Sequence, residues 1–183
     1  MNDDLGFEKD FWGDCCNTFG EDQKHFVYAN YMGLEQQYFS LNAGGKRILD
    51  IGGGPTSMLL KTYNLVEGRV CDPIDYPQWT KDRYASKNIS VQVIDGEDID
   101  ESGWDEVWIY NVLQHVKDPQ KIIENAKRAA KTLRIFEWIN IPAHEGHPHT
   151  LTKENLERWI GQRGGTALLS DNGCFGNCFY GSW

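Results

Sequence analysis

The run "ILDIGGGPTSM", Ile48 to Met58, constrains the fold more than any other stretch of the chain. An apolar segment enters three consecutive glycines and leaves through residues with helical character. Glycine at such a turn lets the backbone reverse sharply and approach a ligand with no β-carbon in the way. Read as a dinucleotide fingerprint, Gly52 and Gly54 fit, but Ser57 stands where the third glycine belongs, which weakens a nicotinamide reading. Asp50 lies just before the glycines, a carboxylate suited to face a cationic ligand. Asp72 lies about 20 residues on, where an acidic side chain commonly takes ribose hydroxyls.

The rest of the chain places this turn in an α/β sheet. "RILDI", "GRVCD", "ISVQVI", "DEVWIY" and "LRIFEWI" read as five short strands, with "TSMLLKTY" helical after the first. "DPQKIIENAKRAAK" has Asp118 to cap a helix, Pro119 at its first position, and Ile122, Ile123 and Ala126 on one face. A second helix is expected from the cap Thr152 to about Arg163. "TALLS" and "CFGNCFYG" flank Asn172-Gly173, a tight hairpin signal, so the sheet should close with an antiparallel pair rather than another parallel crossover. Val27, Tyr31, Leu34, Tyr38 and Leu41 form one stripe at helical spacing, preceded by Phe7, Phe11, Trp12 and Phe19. This stripe serves either as core packing or as an aromatic lid. The expected organisation is a single domain: residues 1–45 as a helical cover and 46–183 as the ligand-binding core, with "LNAGGK" at 41–46 the one linker candidate.

Composition narrows the function. A formal net charge of -9, with no basic run, argues against nucleic acid or an anionic membrane surface as partner. The acidic N-terminus lacks the features of a signal peptide, and no apolar run approaches the roughly 20 residues needed to cross a bilayer, so a cytoplasmic chain is expected. Five cysteines lack paired metal-ligand spacing and read as reduced thiols.

With these motifs in view, "ILDIGGGPTS", "VCDPID", "VQVIDGEDI" and "DEVWIYNVLQHVKDP" resemble, in order and spacing, the class I S-adenosylmethionine-dependent methyltransferases. The likeness is greatest to the small-molecule branch that includes quinone-biosynthesis and sugar O-methyltransferases. It runs from about Arg47 to the C-terminus. It implies a doubly wound, Rossmann-like, seven-stranded sheet, mostly parallel with an antiparallel C-terminal hairpin strand. It also implies S-adenosylmethionine as cofactor, with S-adenosylhomocysteine as product. By the resemblance, Asp50, Gly52, Gly53 and Gly54 would hold the methionine part. Asp72, with Pro73 beside it, would take the ribose. Asp95, or else Glu97, would reach the adenine amino group beside Gly96, and Asn111 and Val112 would line the sulfonium end. Two features depart from the family pattern: Thr56 replaces a common third glycine, and "KRAAKTLRIFE" lacks the usual Pro-Gly-Gly turn.

Methyl transfer is an in-line displacement that depends mainly on alignment, and a hydroxyl acceptor gains further from a nearby base. His115, after the fourth strand, is either that base or a pocket-lining residue. The segment "HEGHPH" follows the fifth strand and should also emerge at the carboxyl edge. Its histidines are open to three uses: acceptor contact, a solvated turn or, less readily given Pro148, a metal site. His115, Glu137 and His144 are the catalytic candidates; His147, His149, Tyr28 and Trp12 are the acceptor-contact candidates; no metal ligand set is assigned. Trp79 either covers the adenine or packs in the core. The expected protein is a monomer or homodimer that methylates oxygen, or nitrogen, of a small polar metabolite. The alternative is a non-catalytic cofactor-binding protein or accessory subunit.

Overall fold

A computed structural model describes residues 5–183; residues 1–4 of the expected N-terminal cover lie outside them. Helices α1 (Gly6–Trp12), α2 (Phe19–Asp22) and α3 (His25–Tyr31) precede strands β1 (Gln36–Gln37), β2 (Ser40–Ile51) and β3 (Thr62–Asp72). Then come α4 (Gln78–Ala85), β4 (Ile89–Val93), β5 (Trp104–Tyr110), α5 (Pro119–Ala129), β6 (Ala130–Trp138), α6 (Lys153–Ile160), β7 (Gly165–Asp171) and β8 (Cys174–Ser182). The sheet runs β4-β3-β2-β5-β6-β8-β7, with the two-residue β1 added against β2. Its first five strands pair in parallel and β8 returns antiparallel between β6 and β7. This is the α/β sheet with an antiparallel end that the sequence predicts.

Helices cover both faces. On one, α5 and α6 bury Ile122, Ile123, Ala126, Leu156 and Ile160 against Leu49, Val107, Ile109 and Ile135. On the other, Tyr28 and Ala29 of α3 and Tyr84 of α4 pack with Ile48, Val70, Trp108 and Phe136. Local chemistry fixes the ends as expected. Asp118 accepts the Lys121 amide at 3.0 Å, and Pro119 occupies the first turn of α5. Thr152 accepts the Asn155 amide, and Gly161 in the left-handed region stops α6 short of Arg163. Asn172 and Gly173 both have positive φ, as a two-residue hairpin turn requires.

Three expectations are corrected. First, "TSMLLKTY" is not an α-helix. Single 3-10 turns at Gly54–Thr56 and Met58–Lys61 lead directly into β3, which begins at Thr62 beside Leu41. The connection is too short for an α-helix because β2 and β3 both extend beyond the rest of the sheet. Second, the stripe from Val27 to Leu41 is not one helix. The helix ends at Tyr31, Gly33 turns with φ +71, Tyr38 sits exposed at the β1–β2 turn, and Leu41 is buried in β2. Third, "LNAGGK" is no linker. It lies within β2, where Gly44 and Gly45 at positive φ form an irregularity in register, so the 45/46 boundary falls inside a strand.

No helix among the described residues is long and apolar enough to cross a membrane. All five cysteines are free, and all but Cys16 are buried.

Candidate functional site

The carboxyl ends of β2, β3, β5 and β6 open into a cavity of about 660 Å³, the position where open α/β sheets accept ligands. Its volume falls in the range of small-molecule sites.

At one end lies the glycine turn. Gly52 has φ +74, and a β-carbon there would sit 2.5 Å from a Val112 methyl, so only glycine fits. The Gly52 amide donates to the Cys71 carbonyl at 2.7 Å. Gly54, at φ +62, donates its amide to Asp72 Oδ2 at 3.1 Å, and its carbonyl accepts the Tyr84 hydroxyl at 2.7 Å. Where an α-helix would ordinarily fasten this turn, side chains do so. Asp50 Oδ2 accepts the hydroxyls of Ser57 and, at 2.6 Å, Tyr110. Tyr110 in turn accepts the Met58 amide at 2.9 Å. Asp50 is fully buried beneath the turn and does not line the cavity. Burial pushes its carboxyl up to about 7 against the pull of those two hydroxyls. Asp72 does line the cavity, and its Oδ1 accepts the Ile74 amide. Burial raises it to about 6, opposed by the bonds from Ile74 and Gly54.

Pro73, Asp95, Gly96 and Glu97 form an adjoining wall. Gly96 approaches α5 so closely that a β-carbon would lie 2.7 Å from Ile122. Asn125 ties this wall to α5 by donating to the carbonyls of Gly96 and Glu97. The Glu97 carboxylate accepts the Lys117 and Asp118 amides, so it also holds the loop that precedes α5.

The loop after β5 carries Asn111, Val112 and Gln114. Asn111 has φ +57 and its amide donates to Phe136. Glu137, expected beside His115 as a catalytic group, is placed otherwise. It is fully buried in β6, does not line the cavity, and its carboxylate accepts the amides of Val112 and Leu113 at 3.0–3.2 Å. Burial pushes it up to about 7, while those amides and the nearby His115 pull the other way. Glu137 therefore shapes the loop on which His115 sits.

The opposite end is built of histidines. His144 and His147 exchange backbone hydrogen bonds at 2.9 Å across Glu145-Gly146, making "HEGH" a tight turn. The His115 ring packs edge-on against His147 with centroids 4.4 Å apart. Its Nδ1 faces two acceptors, the Gly146 carbonyl and Glu8 Oε1, both at 2.8 Å. A proton therefore sits on Nδ1, and in the neutral ring the lone pair is on Nε2. Burial lowers the His115 pKa but is outweighed by Glu8, Glu137 and the Gly146 carbonyl, leaving it raised. Burial and the neighbouring His115 and His144 push His147 down to about 4. Two polar atoms here, Gln114 Oε1 and His147 Nδ1, are buried with no hydrogen-bond partner among the described residues. No group of three or more His, Cys, Asp or Glu among the described residues is placed to hold a metal ion.

Helix α1 lies over both ends. Phe7 packs on Gly146, where a β-carbon would meet it at 2.4 Å, while Trp12 reaches Gly54. Of the acceptor-contact candidates, Trp12 and His147 line the cavity with His115 and His144. Tyr28 does not: it is core, stacked on Phe136 at 4.4 Å. His149 also lies outside the lining and points its Nε2 at the Lys117 carbonyl. Trp79 is part-exposed beneath Arg83 and touches no wall of the cavity. Sequence reading missed Glu8, Tyr76, Tyr110 and Gln114, all of which line the cavity. The i, i+4 spacing of Phe7 with Phe11 and of Glu8 with Trp12 was the one available hint.

No family model and no curated protein matches the sequence. Solved structures do match the fold. A SAM-dependent methyltransferase from Aquifex aeolicus superposes with a TM-score of 0.62 at 16% identity, covering 98% of each chain. Magnesium protoporphyrin IX methyltransferase from Synechocystis PCC 6803, solved with bound SAM, gives 0.62 at 14% identity over 96% of this chain and 89% of that one. The mitomycin 7-O-methyltransferase MmcR gives 0.59 at 16% identity, over 86% of this chain and 52% of that one. The chain has the fold these methyltransferases share.

Proposed function

We propose that the chain is an S-adenosylmethionine-dependent methyltransferase acting on oxygen, or nitrogen, of a small polar molecule. The observation that carries this reading is the conjunction, in one cavity, of a glycine cradle at the β2 end with a histidine cluster at the β5–β6 end. The cradle suits the cofactor: Gly52 and Gly54 present backbone, Asp72 and Asp95 offer acceptors for hydroxyl and amino donors, and Trp12 supplies an apolar cover. Gly52, Gly53, Gly54 and Asn111 would hold its methionine part, Asp72 the ribose, and Asp95 with Gly96 the adenine. When bound, S-adenosylmethionine supplies an electrophilic methyl group on sulfur.

The chain's own residues supply alignment and a place for the proton. Val112, held by Glu137, would press on the reacting end from the Gly52 side. His115, with Nδ1–H tied to Gly146, turns its Nε2 lone pair to the Gln114 amide nitrogen at 3.3 Å, and an acceptor hydroxyl that displaced this long contact could pass its proton to Nε2. The buried, unpartnered Gln114 Oε1 favours an acceptor rich in O–H or N–H groups, and His147 Nδ1 gains from a hydrogen-bonding ligand in either tautomer. The acidic wall of Glu8, Asp72, Asp95 and Glu97 disfavours polyanions such as nucleic acid.

The test is transfer of a labelled methyl group to a panel of hydroxylated and amino acceptors, in the natural chain and in His115→Ala. Turnover with one acceptor class is expected, with loss of about 100-fold or more in His115→Ala and unchanged S-adenosylhomocysteine affinity. Full turnover in His115→Ala would remove it as the base.

A further inference from the structure

We infer that Glu8 is a positioning residue for this reaction: α1 brings its carboxylate onto His115 Nδ1, so that the acceptor end is complete only when α1 is docked. The inference rests on the reading of His115 as the proton acceptor.

The geometry is specific. Glu8 Oε1 and the Gly146 carbonyl both stand 2.8 Å from Nδ1. Each can only accept, so together they fix the tautomer, the ring plane and the direction of Nε2. The carboxylate adds what the carbonyl lacks, a full negative charge beside a ring that gains a positive one. The groups facing His115 are Glu8 from α1, Glu137 from β6, and His147 with His144 behind it from the "HEGH" turn. Glu137 is already committed to two backbone amides, so Glu8 is the carboxylate in direct contact.

The helix that carries Glu8 packs over both ends of the site. None of its residues is fully buried; Phe7 meets Gly146 and His144, and Trp12 meets Gly54 and packs against Cys15, Ile74 and Tyr76. A ligand in the cavity would touch Phe7, Glu8, Phe11 and Trp12 together, so binding and docking of α1 favour one another. In the step itself the acceptor hydroxyl gives its proton to Nε2. With a sulfonium methyl donor bound, the oxygen electron pair would take the methyl carbon as the carbon–sulfur pair returned to sulfur. The imidazolium so formed keeps its Nδ1–H on the Gly146 carbonyl, and the Glu8 carboxylate 2.8 Å from Nδ1 offsets the new charge.

The experiment is an NMR titration of the histidine rings in the full-length chain without ligand, for the natural protein, Glu8→Gln and Glu8→Asp. Glu8→Gln should lower the His115 pKa by about one unit, and Glu8→Asp should restore part of it. The acidic limb of the kcat/KM profile should move to lower pH by the same interval while kcat falls about 10-fold. S-adenosylhomocysteine affinity should fall less than kcat does, because Glu8 meets the acceptor end while the cradle is reached by Trp12 of the same helix. A His115 titration identical in all three proteins overturns the inference. A shifted titration with kcat unchanged reduces the contact to an ion pair with no part in positioning. Failure of the chain to bind any adenosyl compound would instead strike the methyltransferase reading, which the ligand-free titration does not depend on.

Discussion

The two ends of the cavity are held together in different ways. The glycine turn is fastened from beneath by Asp50, Ser57, Tyr84 and Tyr110, every one of them buried. The histidine end is closed from above by α1, a two-turn helix with no buried residue. Buried polar networks in a low-dielectric interior are costly to disturb and hold a single geometry. A two-turn helix with no fully buried residue opens more readily than the strands of the core. On the proposed methyltransferase reading, the division of labour that follows is a rigid cradle for the cofactor and an adjustable cover for the acceptor.

The comparison can be broken most severely at Gly52. Gly52→Ala forces a β-carbon into Val112 at positive φ, and should cost about 2–4 kcal/mol of stability in urea denaturation and abolish adenosyl binding. Retained affinity would mean that the turn is not the cradle. Glu137 gives a subtler test by pH. Its carboxyl is raised to about 7 in the fold, so the folded chain holds that proton more tightly than the unfolded one. Its contribution is full below the ordinary carboxyl range and is lost as pH climbs toward 7. Glu137→Gln cannot ionise, so its deficit relative to the natural chain should be larger at pH 5 than at pH 8, by about 1–3 kcal/mol. A deficit that grows with pH would contradict the burial argument. The smallest effect belongs to His149, which lies outside the lining. His149→Ala should leave stability within about 0.5 kcal/mol and turnover within about 2-fold. A large loss of turnover would return it to the acceptor pocket.

What could be read in the sequence was local. The glycines, the Asp118–Pro119 cap and the Asn172-Gly173 turn each state a backbone requirement within a few residues, and each stands where expected. What failed was decided at a distance. "TSMLLKTY" has helical character, but the pairing of Leu41 with Thr62 leaves no length for a helix. The stripe from Val27 to Leu41 has the right spacing, yet Gly33 and the β1–β2 pairing divide it. Glu137 and Glu8 are both acidic residues near His115, and no local pattern tells the one that holds a loop from the one that meets the ring. That depends on which strand or helix carries each into the site, and Glu8 and His115 lie more than one hundred residues apart in the chain.

Calorimetric titration of the full chain with S-adenosylmethionine, S-adenosylhomocysteine and NAD in parallel tests the central claim most directly. The cradle described here predicts binding of both adenosyl compounds at about micromolar Kd, with none of NAD. NAD binding alone, or no binding of either adenosyl compound, would contradict the account and leave the fold without the function proposed for it.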